Sequence, residues 1–340
     1  MFMRRRYIGI IIGTLLLAIG ILVASSFYMI DYALKPDGLS RSRNIESSFK
    51  YMFETYPELQ PWVDSLQQAG GIIDQYITND NNLSLHAIAI PAAIPTRKVA
   101  VLIHGYTDNS IRMLHLAYLY NRILGYHVLL PDLAAHGYSQ GDVIQMGWKD
   151  RLDVLLWTEY ADELFTRVNR FAQENTSSPI LSSGVEMVVH GISMGAATTM
   201  MLAGDIERGQ TQQPFIKCLI EDCGYTTVWD EFCNELSNQF GLPAFPLMHL
   251  TNLLCKQKYG WSFQEASALE AIKHSTLPML FIHGAEDDFV PTNMVYSLYD
   301  AKPQPKELWV VPGVDHAHSY RDQKQEYTAR VKTFVDQYIH

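Results

Sequence analysis

Residues 185–199, VEMVVHGISMGAATT, decide the fold. Val185–His190 is a short apolar run rich in β-branched residues, the pattern of a strand buried on both faces. Ala196, Ala197, Thr198 and Thr199 open a run of small residues that reads as a helix. Between them stands Gly191-Ile192-Ser193-Met194-Gly195. A strand that turns this sharply into a helix needs small residues at the crossing, which Gly191 and Gly195 supply, and it lifts Ser193 above the sheet. There the hydroxyl faces a helix amino terminus, whose dipole and free N–H groups favour negative charge.

Working outward, short apolar runs alternate with helix-length periodic segments from Gly70 onward. Ile72–Thr78 and Leu83–Ile90 read as a strand pair. Lys98–Ile103, His127–Leu130, Val185–His190, Phe215–Glu221, Leu277–His283 and Glu307–Val311 read as further strands. Ile111–Leu124, Trp148–Phe171, Met194–Ala203 and Tyr320–Tyr338 read as helices between or after them. This alternation predicts an α/β fold with a mostly parallel sheet and helices on both faces. Polar clusters fall where strands end, the position at which sites form in such sheets. Residues 226–276 interrupt the rhythm with Trp, Phe, Leu and Met and two prolines, Pro243 and Pro246, which predicts a helical cap. Packing helices of the main body would read the same way.

A serine hydroxyl is a weak nucleophile without a neighbouring base, usually a histidine held by a carboxylate. Two later strand ends offer both. His283-Gly-Ala-Glu-Asp-Asp-Phe-Val-Pro291 follows one, with Glu286, Asp287 and Asp288 as candidate acids. Pro312-Gly-Val-Asp-His-Ala-His-Ser319 follows the next, with His316 and His318 as candidate bases. The chain order Ser, Asp, His is one of the orders in which such triads occur.

With these motifs in view, residues 70–340 resemble the α/β-hydrolase family, in its serine aminopeptidase, esterase and lipase-like group. His283, Gly284, Asp287, Val290 and Pro291 match the group's H-G-x-x-D-x-x-V-P pattern, which implies Asp287 as the acid. Gly313 and His316 match its Gly-x-x-His pattern, which implies His316 as the base. His104-Gly105-Tyr106-Thr107 resembles the family's loop after the third strand. That likeness implies an oxyanion hole made by the backbone N–H groups of Tyr106 and Met194. Asp132-Leu-Ala-Ala-His-Gly-Tyr-Ser139 resembles a D-x-x-G-H-G-x-S segment, with Ala135 where the pattern has glycine. His136 and Ser139 read as loop-ordering residues, and so do His104 and His283; His190 reads as packing beneath the turn.

At the amino terminus Arg4, Arg5 and Arg6 precede an uncharged run from Tyr7 to Ile30. Twenty-four helical residues span a hydrocarbon core of about 30 Å. The arginines are expected to stay on the cytoplasmic side. Residues 1–35 then read as a cytoplasmic tip and transmembrane anchor, 36–70 as a linker with short helices, and 71–340 as the hydrolase domain. A cleaved signal peptide, with Ala24-Ser25-Ser26 as the small residues, is the alternative, giving a secreted product. Residues 1–35 carry four Lys/Arg and one Asp, so they hold +3 of the total charge of −10 and leave −13 for the remainder. That balance suits a soluble domain, not a second membrane-binding surface, and argues against nucleic acid as a partner. With 4 Cys and no C-x-x-C, a disulfide scaffold and a cysteine zinc site are both poor readings. A bond between Cys233 and Cys255, stapling the cap of an exported domain, is one expectation to examine.

The expected chemistry is serine hydrolysis of a small-molecule acyl ester or peptide by Ser193, His316 and Asp287, with no cofactor and no metal. An acyltransferase with the same three residues, or a non-catalytic binding protein on the same fold, are the rival readings.

Overall fold

The computed structural model describes residues 2–36, 44–174, 184–207 and 213–340. Eight strands form one sheet in the order β1-β2-β4-β3-β5-β6-β7-β8. They are β1 (Ile73–Thr78), β2 (Ser84–Ile90), β3 (Lys98–Ile103), β4 (His127–Pro131), β5 (Glu186–Ile192), β6 (Ile216–Asp222), β7 (Met279–Gly284) and β8 (Lys306–Val311). β1 and β2 are antiparallel to their neighbours, and β4-β3-β5-β6-β7-β8 run parallel. The parallel strands β3 and β5 are buried almost end to end, as their apolar runs require, whereas the edge strand β1 is open to solvent.

Period-two alternation divides the core into two layers. Val99, Val101 and Ile103 of β3 face one cluster, and Ala100 and Leu102 face the other. The first layer is completed by α5 (Asp150–Glu174), α6 (Met194–Glu207) and the cap. The second is completed by α2 (Ile45–Thr55), α3 (Leu59–Gln68), α4 (Leu114–Ala117), α11 (Ser319–Asp322) and α12 (Lys324–Val335). Ahead of the sheet, α2 and α3 therefore pack down with Met52, Leu59 and Val63 buried.

Several sequence expectations shift in detail. The helix expected over Ile111–Leu124 is a 3₁₀ turn (Ser110–Met113), the single turn α4 and a π-helical turn (Tyr118–Ile123). The terminal helix is split at Gln323 into α11 and α12. The cap consists of α7 (Val228–Phe240) and α8 (Leu247–Tyr259), each ending at a left-handed glycine, Gly241 at φ +64° and Gly260 at φ +78°. The third helix of the insertion, α9 (Ala268–Ile272), packs instead on α6, where a Cβ on Gly204 would lie 2.8 Å from the Ala271 methyl. α10 (Asn293–Ala301) covers β7. The Cys233–Cys255 staple is not formed: all four cysteines are free thiols, and Cys255 is buried in the apolar core.

The amino-terminal helix, α1 (Phe2–Leu34), is longer than the uncharged run and is the one helix among the described residues long and apolar enough to cross a membrane. Its residues from Arg6 to Ile21 are exposed. From Leu22 onward it lies against the cap, burying Ser26, Ile30 and Leu34. Polar contacts fix the docking. Tyr32 donates to Gln239 Oε1 at 2.7 Å, Lys258 bonds Asp31 at 3.2 Å, and Ile144 N donates to Leu34 O at 2.7 Å.

Candidate active site

The turn from β5 into α6 leaves no room for side chains at its glycines. A Cβ on Gly191 would sit 2.0 Å from Gly195 O, and one on Gly195 would sit 2.1 Å from Ile103 O. The chain therefore crosses tightly, and Ser193 takes a left-handed φ of +56°. Such a conformation is costly for a residue bearing a Cβ and persists where neighbours fix it. Here the Ser193 N–H is held by Asp222 O at 2.8 Å, and its carbonyl accepts from Ala197 at 3.0 Å.

The two later loops meet the turn because they interlock with each other. Ala285 N donates to Val311 O and Glu286 N to Val314 O, both at 2.9 Å. Gly284 permits this, since a Cβ there would meet Val314 O at 2.3 Å. The consequence is a line of three side chains. His316 Nε2 lies 2.9 Å from Ser193 Oγ, and His316 Nδ1 lies 2.8 Å from Asp287 Oδ2. The other carboxylate oxygen, Oδ1, accepts from Val290 N at 2.9 Å. Burial would raise the Asp287 carboxyl, but the hydrogen bonds from His283 and His316 outweigh it and hold it down at about 2. The competing residues lie apart from this line. Glu286 and Asp288 are exposed, and His318 is paired with Asp315.

Gly105 brings its loop against the serine, since a Cβ there would stand 3.4 Å from Ser193 Cβ. Tyr106 and Met194, the two expected oxyanion donors, border the same cavity as Ser193 and His316. The loop is ordered from below by three histidines and Asp132. Leu133 N donates to His104 Nε2 at 3.0 Å, and Thr107 N to His136 Nε2 at 3.2 Å. Asp132 accepts from Ser110 N at 2.6 Å and from Tyr138 N at 3.0 Å, and His86 lies 2.7 Å from it. Ala135 stands at φ +65°, so the position where the pattern has glycine does require the left-handed backbone. Beneath the turn, His190 lies between Tyr120 OH at 3.1 Å and Tyr327 OH at 3.0 Å, and burial pushes it down to about 3.

Further residues surround the line, and most of them carried no signal in the sequence. His283 Nε2 lies 3.3 Å from Asp287 Oδ2 while also reaching Val290 O at 2.9 Å. Its sequence reading was as a residue that orders this loop, four positions before Asp287. Cys223 Sγ lies within 4.8 Å of Asp287 and His316 ligand atoms, but burial pushes the thiol well above its ordinary value, which disfavours a thiolate. Glu231 of α7 is buried on the cavity wall, and burial pushes its carboxyl well above the ordinary range. Least expected is α1. Met29, Tyr32 and Ala33 of α1 line the cavity, and Tyr106 donates its hydroxyl to Ala33 O at 2.6 Å. No local pattern in a membrane-length apolar run encodes which of its faces will meet a distant cap.

The cavity has a volume of about 680 Å³, within the usual range of about 300–1,000 Å³ for small-molecule sites. Its apolar wall includes Leu236, Phe240, Met248 and Phe263 of the cap region, and its polar wall includes Asp108 and Arg112, paired at 3.3 Å.

Comparison with known proteins places the fold and the family. The esterase Pf2001 of Pyrococcus furiosus superposes with a TM-score of 0.56 at 22% identity, covering 79% of this chain and 93% of that one. Est1E of Butyrivibrio proteoclasticus, in a structure with ferulic acid bound, gives 0.55 at 18% identity, covering 77% and 99%. Among curated sequences, the uncharacterized protein YqkD of Bacillus subtilis (strain 168) is 27% identical over 241 residues, 71% of this chain and 72% of its own. The fold shared with these structures is the α/β-hydrolase fold. The profile of the serine hydrolase (FSH1) family matches residues 134–320, more than half of the chain and the whole interval from the turn at Ser193 to His316, so this protein belongs to that family and is a serine hydrolase.

Proposed function

We propose that this serine hydrolase cleaves uncharged carboxylic esters through an acyl-enzyme, with Ser193 as nucleophile, His316 as base and then acid, and Asp287 as the partner that holds the imidazole. The observation that carries this reading is the unbroken line from Ser193 Oγ through His316 to Asp287, at 2.9 and 2.8 Å. Asp287 stays anionic across the working range of pH, so it keeps the proton on His316 Nδ1 and leaves Nε2 free to accept. Ser193 Oγ forms a bond to the acyl carbon as its proton passes to His316 Nε2. The ester C–O bond then breaks, and the same proton goes to the departing alkoxide. Water repeats the sequence and releases the acid. The N–H groups of Tyr106 and Met194 are assigned to the developing oxyanion, a contribution of about 2.7–4 kcal/mol for each such donor.

The apolar cavity wall, and a Glu231 carboxyl whose burial disfavours its charged form, support an uncharged, apolar acyl group. The esterase Pf2001, which shares the fold, agrees with an ester as the scissile bond. α1 supports a single-pass anchor in the cytoplasmic membrane, with the three arginines inside and the catalytic domain on the outer face.

A fluorophosphonate probe is expected to label the peptide containing Ser193. Ser193→Ala is expected to lose both labelling and hydrolysis of p-nitrophenyl butyrate while its circular dichroism spectrum is unchanged. Labelling of the alanine variant at the wild-type rate would refute the assignment.

A further inference from the structure

The free part of α1 is too short for the bilayer it is assigned to cross. From Tyr7, the first residue after the arginines, to Ile21, the last before the helix meets the cap, there are fifteen residues. At about 1.5 Å per residue they span about 22 Å, against a hydrocarbon core of about 30 Å. The missing length, about 8 Å, is five further residues, and it reaches Ser26. Of those residues Leu22, Val23 and Ser25 are already partly buried and Ser26 fully so, on the side that faces the cap. Any tilt of the helix increases the shortfall.

The boundary so located falls at Phe27 and Tyr28, whose rings are both exposed, as side chains of an aromatic belt are. One turn further, Tyr32 packs on Tyr28 at 5.9 Å and on Phe240 at 5.5 Å. Phe240 ends α7, and the connection from there to α8 presents Leu242 and Phe245 to solvent, Phe245 at 72% exposure. The negative charge of the domain suits no second membrane surface, but it averages over the whole domain, whereas this edge is apolar. It is continuous with the anchor, and the anchor's length draws it downward.

The same junction borders the cavity. Met29 and Tyr32 of α1 and Leu236 and Phe240 of α7 border both the helix–cap seam and the space in front of Ser193. Resting on the ester-hydrolase reading above, we propose that the α7–α8 edge of the cap is embedded in the outer leaflet crossed by α1. The substrate is then an acyl ester resident in that leaflet, whose chain passes between α1 and α7 to Ser193. The polar wall around Asp108 and Arg112 accommodates the alcohol portion.

The test uses the full chain reconstituted in vesicles of phosphatidylglycerol and phosphatidylethanolamine containing monooleoylglycerol, with p-nitrophenyl acetate as the soluble ester. Neither Leu242 nor Phe245 borders the cavity. The double variant Leu242→Asp with Phe245→Asp is expected to lose at least about tenfold in monooleoylglycerol hydrolysis, because charged groups resist transfer from water. Its turnover of p-nitrophenyl acetate is expected to match that of wild type. In parallel, the indole of Phe245→Trp is expected to be quenched beyond the wild-type tryptophan background by lipids brominated near the head of the acyl chain. Equal vesicle rates in wild type and double variant overturn the proposal. So does a wild-type enzyme that turns over the soluble ester but not the vesicle ester, or a Phe245→Trp variant quenched no more than background. Should the double variant lose the soluble activity too, the quenching result decides. If the wild type cleaves neither ester and resists the fluorophosphonate, the ester-hydrolase reading is what has failed, and the quenching still reports where the cap lies.

Discussion

Replacing Asp287 by asparagine tests the electrostatic logic of the site with almost no change of shape. In the native site Oδ1 accepts from Val290 N at 2.9 Å, a contact that only an oxygen can make. The side-chain amide in Asp287→Asn would therefore keep its carbonyl toward Val290 and turn its NH₂ to the place of Oδ2, 2.8 Å from His316 Nδ1. An NH₂ group donates, so Nδ1 must accept and the imidazole proton moves to Nε2. That nitrogen then points an N–H at Ser193 Oγ, 2.9 Å away, and can no longer take its proton. Wrong-tautomer substitutions of this kind cost about 10⁴ in turnover, or about 5 kcal/mol of barrier. The same NH₂ also faces the His283 N–H, 3.3 Å from Oδ2, so a further loss of stability of about 1 kcal/mol is expected. Initial rates with p-nitrophenyl butyrate and the second-order rate of fluorophosphonate labelling measure the first effect, and urea denaturation the second. A well-folded Asp287→Asn enzyme within tenfold of wild type would refute the reasoning, since His316 would then not depend on this carboxylate for its tautomer.

Two further outcomes follow from buried groups. Gly195→Ala puts a methyl 2.1 Å from the backbone oxygen of Ile103, where no side chain can yield, so a loss above about 3 kcal/mol or failure to fold is expected; a soluble, active variant would show that the turn can open. Burial, reinforced by Asp153, pushes the Asp150 carboxyl up to about 7, while the unfolded chain titrates near 4. Between those values the folded protein holds a proton that the unfolded chain has released, so stability falls as pH rises, by at most about 4 kcal/mol from this group. Asp150→Asn, which keeps an acceptor for Gly147 N at 2.8 Å, is expected to flatten the decline in urea midpoint between pH 5 and pH 8 in detergent; an unchanged decline would assign it to other groups.

The central strands and the turn at Ser193 were legible because their signals are local. A strand buried on both faces must be apolar throughout, and a crossing that excludes Cβ atoms must be glycine, so 185–199 carries its own geometry. The loops bearing Asp287 and His316 were legible as motifs, but their meeting depends on Gly284 admitting Val314 O, a contact thirty residues apart in the chain. Helix continuity was harder. Ile111–Leu124 has helical periodicity, yet it changes hydrogen-bond register twice between Ser110 and Ile123, and composition does not distinguish those registers. The cap was visible only as an excess of aromatic residues. Its packing on α1, through Tyr32 on Phe240 and Lys258 on Asp31, pairs residues more than two hundred positions apart. Spacing cannot encode such a pair. The cysteines mislead for a related reason: Cys233 and Cys255 share the cap, but Cys255 serves there as a small apolar side chain in the core.

The bond from Tyr106 to Ala33 alters what it means to shorten this enzyme. A fragment beginning after residue 35 would lose more than one helix. It would be missing one side of the chamber in front of Ser193, the backbone oxygen that steadies the Tyr106 ring, and the cover over the groove now filled by Ile30 and Leu34. Rates and preferences measured on such a fragment would describe a wider, wetter vestibule than the intact chain presents to its substrate.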